Sequence, residues 1–150
     1  MRADFTLYTP EYISGVMSLR KPQKKSLEIL DIIVNSVNLK KGMNLQAALG
    51  AVKALYPTCT DFERDFMSLT FALATGVGKT RLMGAFIAYL YTQHNIKNFF
   101  VVAPNTTIYN KLCRDLNDNN SPKYVFRGLS CFVNAPQVIT GEDYRSKPLS

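Results

Sequence analysis

The sequence is poor in the residues that build metal centres and disulfide scaffolds. It has three cysteines, Cys59, Cys113 and Cys131, far apart and without a C-x-x-C spacing. They suggest neither a disulfide framework nor a zinc site, and fit a reducing, cytoplasmic setting. The single histidine, His94, stands at the polar end of a predicted helix, where a place in the last turn is favoured over metal ligation. No run approaches the ~18 apolar residues of a membrane span. Nor does an apolar segment of signal-peptide length follow the opening Met1-Arg2-Ala3-Asp4, so no membrane is expected as a partner. Acidic residues are outnumbered, 11 against 18 lysines and arginines, which leaves a formal net charge of +7. Such a balance favours an anionic partner, whether nucleic acid, nucleotide or an acidic surface, without choosing among them. Pairs such as Lys24-Lys25 and Lys40-Lys41 equally suit a solvated face. No internal repeat or low-complexity segment is visible.

What is present is enough for one compact domain: 150 residues, 47% of them hydrophobic. Leu27, Leu30, Val34 and Val37 form one apolar stripe and predict a helix over 26–38. Gly42 ends that region, Asn44 is a natural N-cap, and Leu45, Leu49, Val52 and Tyr56 keep helical spacing until Pro57. At 66–73 the pattern becomes a short apolar run suited to a buried strand, and 99–103 reads the same way before Pro104. Between them lie a glycine loop and a helical stretch over 81–91 with Leu82, Phe86 and Tyr89 or Leu90 on one face. The span 69–103 thus has the size of a βαβ unit, with a right-handed crossover expected. Asn105 caps a further helix carrying Ile108, Leu112 and Leu116, and 124–129 and 137–140 are two more strand candidates.

The loop is the most specific feature. Ala74-Thr75-Gly76-Val77-Gly78-Lys79-Thr80 follows a predicted strand and opens a predicted helix. A phosphate chain must be gripped by many donors at once, and backbone N–H groups at a helix N-terminus supply them. Gly76 and Gly78 permit positive φ and let the backbone approach the ligand. Lys79 supplies a point charge for the β and γ oxygens, and the Thr80 hydroxyl can coordinate magnesium. ATP and Mg²⁺ are therefore the expected cofactors. Thr75, Gly76, Val77, Gly78, Lys79, Thr80 and Arg81 form the expected nucleotide-binding set, with Lys79 and Thr80 catalytic and Thr80 the metal ligand. The first glycine of the general G-x-x-x-x-G-K-[ST] pattern is Leu73 here.

With Leu73 in that place, 73–80 resembles motif I of superfamily-two DEAD/DEAH-like helicases and translocases, commonly A-x-T-G-x-G-K-T. Within that group the chain resembles the restriction (Res) subunit of type III restriction-modification enzymes. Leu19-Arg20-Lys21-Pro22-Gln23 is similar to the L-R-x-x-Q element that precedes motif I, in which the glutamine amide reads adenine. The gap to motif I is longer than usual. That likeness adds Arg20 and Gln23 to the nucleotide-binding set. Residues 101–108 are similar to motif Ia, a corner that holds a nucleic-acid phosphate, which implies roles for Pro104, Asn105, Thr106 and Thr107; a plain capped helix would account for them too. Residues 138–144 are similar to motif Ib, implying Thr140 and Gly141, although an ordinary strand end fits as well.

The resemblance implies an α/β fold: a P-loop NTPase (RecA-like) parallel sheet flanked by helices, an incomplete first motor lobe over 66–150 after an N-terminal helical segment over 1–65. It implies an ATP-dependent helicase or translocase acting on nucleic acid, double-stranded DNA in particular, with a modification (methyltransferase) subunit as a further partner. No acidic pair follows an apolar strand in the D-E-x-x manner that magnesium and the attacking water require: Asp61-Phe62-Glu63 precedes the loop in polar surroundings, and Glu142-Asp143 lies in the motif Ib candidate. The chain is accordingly expected to be an N-terminal piece that binds ATP and barely hydrolyses it. Another P-loop NTPase or small kinase, or a nucleotide-binding module without turnover, are the alternatives.

Overall fold

Helix formation begins at Thr9, whose hydroxyl accepts the Tyr12 N–H at 3.1 Å, while Pro10 supplies a preset φ in the first turn of α1 (Pro10–Val16). The computed structural model describes residues 4–148. A left-handed residue, Ser18 at φ 51°, then turns the chain into α2 (Lys21–Ser36), again with a proline in the first turn. Asn44 caps α3 (Leu45–Leu55) as the sequence predicts, its side chain accepting the Ala47 N–H at 3.1 Å. The chain then runs without regular structure to α4 (Lys79–His94) and, past a second irregular segment, to α5 (Thr106–Asn117) and a single 3₁₀ turn at Ser130–Phe132.

Helices α1, α2 and α4 pack against one another, and α3 lies on α2. Three residues of the apolar stripe predicted for α2 are buried, Leu27, Leu30 and Val34, which meet Ala85, Ala88 and Tyr89 of α4 and Ile13 of α1, whereas the fourth, Val37, lies past the helix end in extended backbone and packs half-buried on the cluster around α3. Tyr124, Phe126, Leu129 and Phe132 complete this core from the C-terminal side, with Phe126 and Phe132 stacked at 4.3 Å between ring centroids. Their approach is allowed by Gly84 on α4, where an added Cβ would lie 3.0 Å from the Val125 side chain. A smaller cluster joins Ile33 of α2 to Ala48 and Val52 of α3 and to Phe62.

The expected parallel sheet is not there. Among the described residues there are five α-helices and no strand, which corrects the α/β, RecA-like expectation and removes the βαβ unit over 69–103. A strand buried on both faces needs ladder partners at its edges and cover above and below. Among the described residues, 66–73 and 99–103 engage no backbone group in a hydrogen bond, and Phe66, Phe100 and Val102 are 62%, 94% and 77% exposed. The apolar runs therefore stay unpaired. At 124–129 the backbone closes successive turns instead, with Gly128 at φ 89°. At 137–140 side chains take the ladder groups: Asp143 accepts the Thr140 N–H and Lys147 donates to the Val138 carbonyl. None of the described helices is long and apolar enough to cross a membrane.

Candidate functional site

Helix α4 starts without a side-chain cap, because its N-cap is Gly78, held in the left-handed region at φ 93° and ψ 56°. The first N–H used within the helix is that of Leu82, bonded to the Gly78 carbonyl at 3.1 Å. The N–H groups of Lys79, Thr80 and Arg81 therefore have no intrahelical acceptor. Gly76 is also left-handed, at φ 81°, and a turn from Ala74 to Val77 closes at 3.4 Å. Thr75, Gly76, Gly78 and Lys79 are exposed and Val77 and Thr80 half-buried. Neither the Lys79 amine nor the Thr80 hydroxyl has a partner among the described residues.

Two residues more than fifty positions upstream brace this loop. Gln23, the third residue of α2, is 2% exposed. Its side-chain oxygen accepts the Arg20 N–H at 2.7 Å, and its Nε2 donates to the Gly78 carbonyl at 2.7 Å. Arg20 Nη1 donates to the Gly76 carbonyl at 3.0 Å. In a trans peptide the next N–H points opposite to the carbonyl. Anchoring the Gly78 carbonyl thus also fixes the direction of the Lys79 N–H. A Cβ on Gly78 would sit 2.6 Å from Gln23 Nε2, so both φ and space demand glycine there. Arg81, on the same turn, donates from Nη1 to the Met17 carbonyl at 3.1 Å and ties the start of α4 to the end of α1.

The other predicted residues lie apart. Pro104, Asn105, Thr106 and Thr107 are exposed at the start of α5, and no hydrogen bond among the described residues joins them to the loop. The Asn105 side-chain oxygen accepts the Ile108 N–H at 2.9 Å, and the two threonine hydroxyls have no partner among the described residues. Thr140 donates its N–H and its hydroxyl to Asp143 Oδ1, at 2.6 and 2.9 Å, and Gly141 beside it is exposed. The Lys147 ammonium, paired with Asp143, and the Thr140 N–H hold the Asp143 carboxyl down at about 2. A phosphate arriving at Thr140 would have to displace that carboxylate.

Two clusters escaped the sequence. His94 does end α4, but its Nε2 lies 3.1 Å from the Tyr89 hydroxyl, which donates to Asp31 of α2. Burial, and then Asp31, push the Tyr89 phenol well above its usual range. Helical spacing placed Tyr89 on the inner face of α4; nothing in it signalled Asp31. The second is Asp115 of α5, 3% exposed. No three His, Cys, Asp or Glu residues gather in a metal-holding group among the described residues. Magnesium at this loop would therefore be held by phosphate oxygens, water and the Thr80 hydroxyl, a donor set that suits it. The uncapped helix start and the two positive-φ glycines fit a polyphosphate.

No curated protein and no solved structure matches the chain. One family does, described as type III restriction enzyme, res subunit, over residues 16–146, a span that takes in Arg20, Gln23 and the whole loop. That family is one of helicase-like ATPases, which in general use ATP and Mg²⁺ and act on DNA. The chain belongs to the type III restriction enzyme res subunit family.

Proposed function

We propose that this chain grips Mg²⁺·ATP through Thr75–Thr80 and is the nucleotide-binding part of a DNA-dependent motor, the restriction subunit of a type III system. One observation carries the proposal: Arg20 and Gln23 hold the Gly76 and Gly78 carbonyls, while the N–H groups that open α4, the Lys79 amine and the Thr80 hydroxyl stay unengaged. In this proposal the N–H groups and Lys79 bind the β and γ phosphates, and Thr80 completes the magnesium shell. Arg20 and Gln23 position the loop, and adenine would be read by the second Nε2 hydrogen of Gln23, the one not given to Gly78. Segment 1–65 supplies the brace and 66–150 the loop. The Thr106 and Thr107 hydroxyls, with Pro104 and Asn105 shaping the corner, contact a DNA phosphate, and Thr140 with Gly141 takes a second one by displacing the Asp143 carboxylate. A methyltransferase subunit is the partner that such a system would supply.

Ground-state grip alone does not raise kcat. An arginine finger alone accounts for ~10³–10⁵ in rate, and among the described residues no arginine or carboxylate is hydrogen-bonded to the Thr80 hydroxyl. The chain is expected to bind ATP in magnesium, to release phosphate near the background rate with or without DNA, and to bind DNA weakly and without sequence preference. The DNA affinity should fall with salt at a slope of ~0.9 per contacted phosphate. Calorimetric titration, a phosphate-release assay and DNA binding across a salt series test this together. Robust turnover abolished by Lys79→Ala would replace the motor with a self-contained P-loop enzyme, and salt-independent binding to a preferred sequence would remove the DNA role.

A further inference from the structure

Beside the loop lies a cleft of about 620 Å³, and the loop residues in its wall are Gly78 and Thr80, at the end where the terminal phosphate and magnesium would sit. Four cations line it as well, Arg81, Lys111, Lys123 and Arg127, against a single carboxylate, Asp115. Two of the four are committed elsewhere: Arg81 donates to the Met17 carbonyl, and Lys111 pairs with the buried Asp115 at 3.0 Å. The side chains of Lys123 and Arg127 are exposed and have no partner among the described residues. Their backbone is nonetheless held in place. Val125, midway between them, donates its N–H to the Asp115 carbonyl at 2.9 Å, and its side chain packs where a Cβ on Gly84 would come within 3.0 Å of it. Tyr124 and Phe126, on either side of Val125, are buried in the core. Gly84 follows Thr80 by four residues on α4, so the two share a face of the helix, ~6 Å apart along its axis. Residues 123–127 therefore lie against α4 about one turn from Thr80.

We propose that Lys123 and Arg127 read the terminal phosphate of the bound nucleotide, so that this chain tells ATP from ADP. The proposal rests on the ATP-binding role given to the loop. The N–H groups of α4, Lys79 and magnesium approach the γ-phosphate from the loop, and its outward oxygens face the cleft. Cations gathered around one cleft without a free carboxylate repel one another, which favours an anion among them. A phosphate group suits a guanidinium fork and an ammonium together. The rest of the cleft is room for the water that magnesium keeps. These contacts are made in the ground state, so they add affinity without raising kcat.

The test titrates the full chain with Mg²⁺·ATP and with Mg²⁺·ADP. The wild type is expected to bind ATP at least ~10-fold more tightly than ADP. Lys123→Ala combined with Arg127→Ala should weaken ATP by ~10–30-fold, the size of two charge-assisted contacts discounted for exposure, and ADP by less than about threefold. Lys41→Ala is the charge control: it removes an exposed cation beyond the end of α2 opposite to Gln23, and should leave both affinities within about twofold. Equal wild-type affinity for ATP and ADP, or a preference for ATP that survives the double variant, overturns the phosphate-reading role and leaves the loop's role standing. Equal losses for both nucleotides in the double variant, or the same loss of ATP in Lys41→Ala, reduce the two residues to general attraction and overturn it as well. A wild type that binds neither nucleotide removes the loop's role and the reading of its terminal phosphate with it.

Discussion

Lys79→Ala is expected to weaken Mg²⁺·ATP by ~10–100-fold, because each charge-assisted bond it removes is worth ~1.5–3 kcal/mol. The fold should not change. Lys79 is exposed, makes no ion pair or hydrogen bond with the described residues, and stands at the first position of α4, where alanine is at least as good a helix former. Its charge is thus spent on nothing internal. Isothermal titration of the folded variant, checked by an unchanged urea midpoint, reads the effect. Equal affinity in variant and wild type would take the loop out of nucleotide binding.

The second large effect is expected at Gly78, and it comes through structure. A non-glycine residue held at φ 93° costs ~1–3 kcal/mol in backbone strain. The added Cβ, 2.6 Å from Gln23 Nε2, also drives the amide off the Gly78 carbonyl and leaves a buried donor unpaired, for a further ~1–3 kcal/mol. Gly78→Ala should therefore lower unfolding free energy by about 2–6 kcal/mol and weaken ATP together with GTP. Gly76→Ala is the control: φ is 81°, but a Cβ there meets nothing within 4 Å, so strain alone of ~1–2 kcal/mol is expected. Gln23→Ala removes the same contact from the other side. In urea denaturation the Gly78→Ala and Gln23→Ala costs should fall short of additive in the double variant. Full additivity would mean that the Gln23–Gly78 contact contributes nothing.

The helices and their caps were legible because their signals are local. Asn44, Asn105 and the stripe Leu27–Leu30–Val34 act within a few residues of themselves and appear where spacing put them. The loop was legible because its glycines are demanded by φ, which the sequence states directly. The strands were not, since a strand is made by its partner: 66–73 and 99–103 have the composition of sheet and, among the described residues, no ladder to join. The contacts of Gln23 and Arg20 with the loop span 55 and 56 residues. Similarity to the L-R-x-x-Q element brought both residues to the nucleotide, while only the three-dimensional arrangement gives them the loop's carbonyls to hold. Asp115 was invisible for the opposite reason: as one acid on an amphipathic helix, it reads as solvated surface until its burial is known.

The central claim is that the N–H groups opening α4 hold the nucleotide's phosphates, and backbone amide NMR of the whole chain tests it most directly. On titration with Mg²⁺·ATP the amides of Gly76, Gly78, Lys79 and Thr80 are predicted to show the largest shifts, reproduced by Mg²⁺·tripolyphosphate and lost in Lys79→Ala. Saturable binding of ATP that leaves these four amides in place and moves those of another region would contradict it.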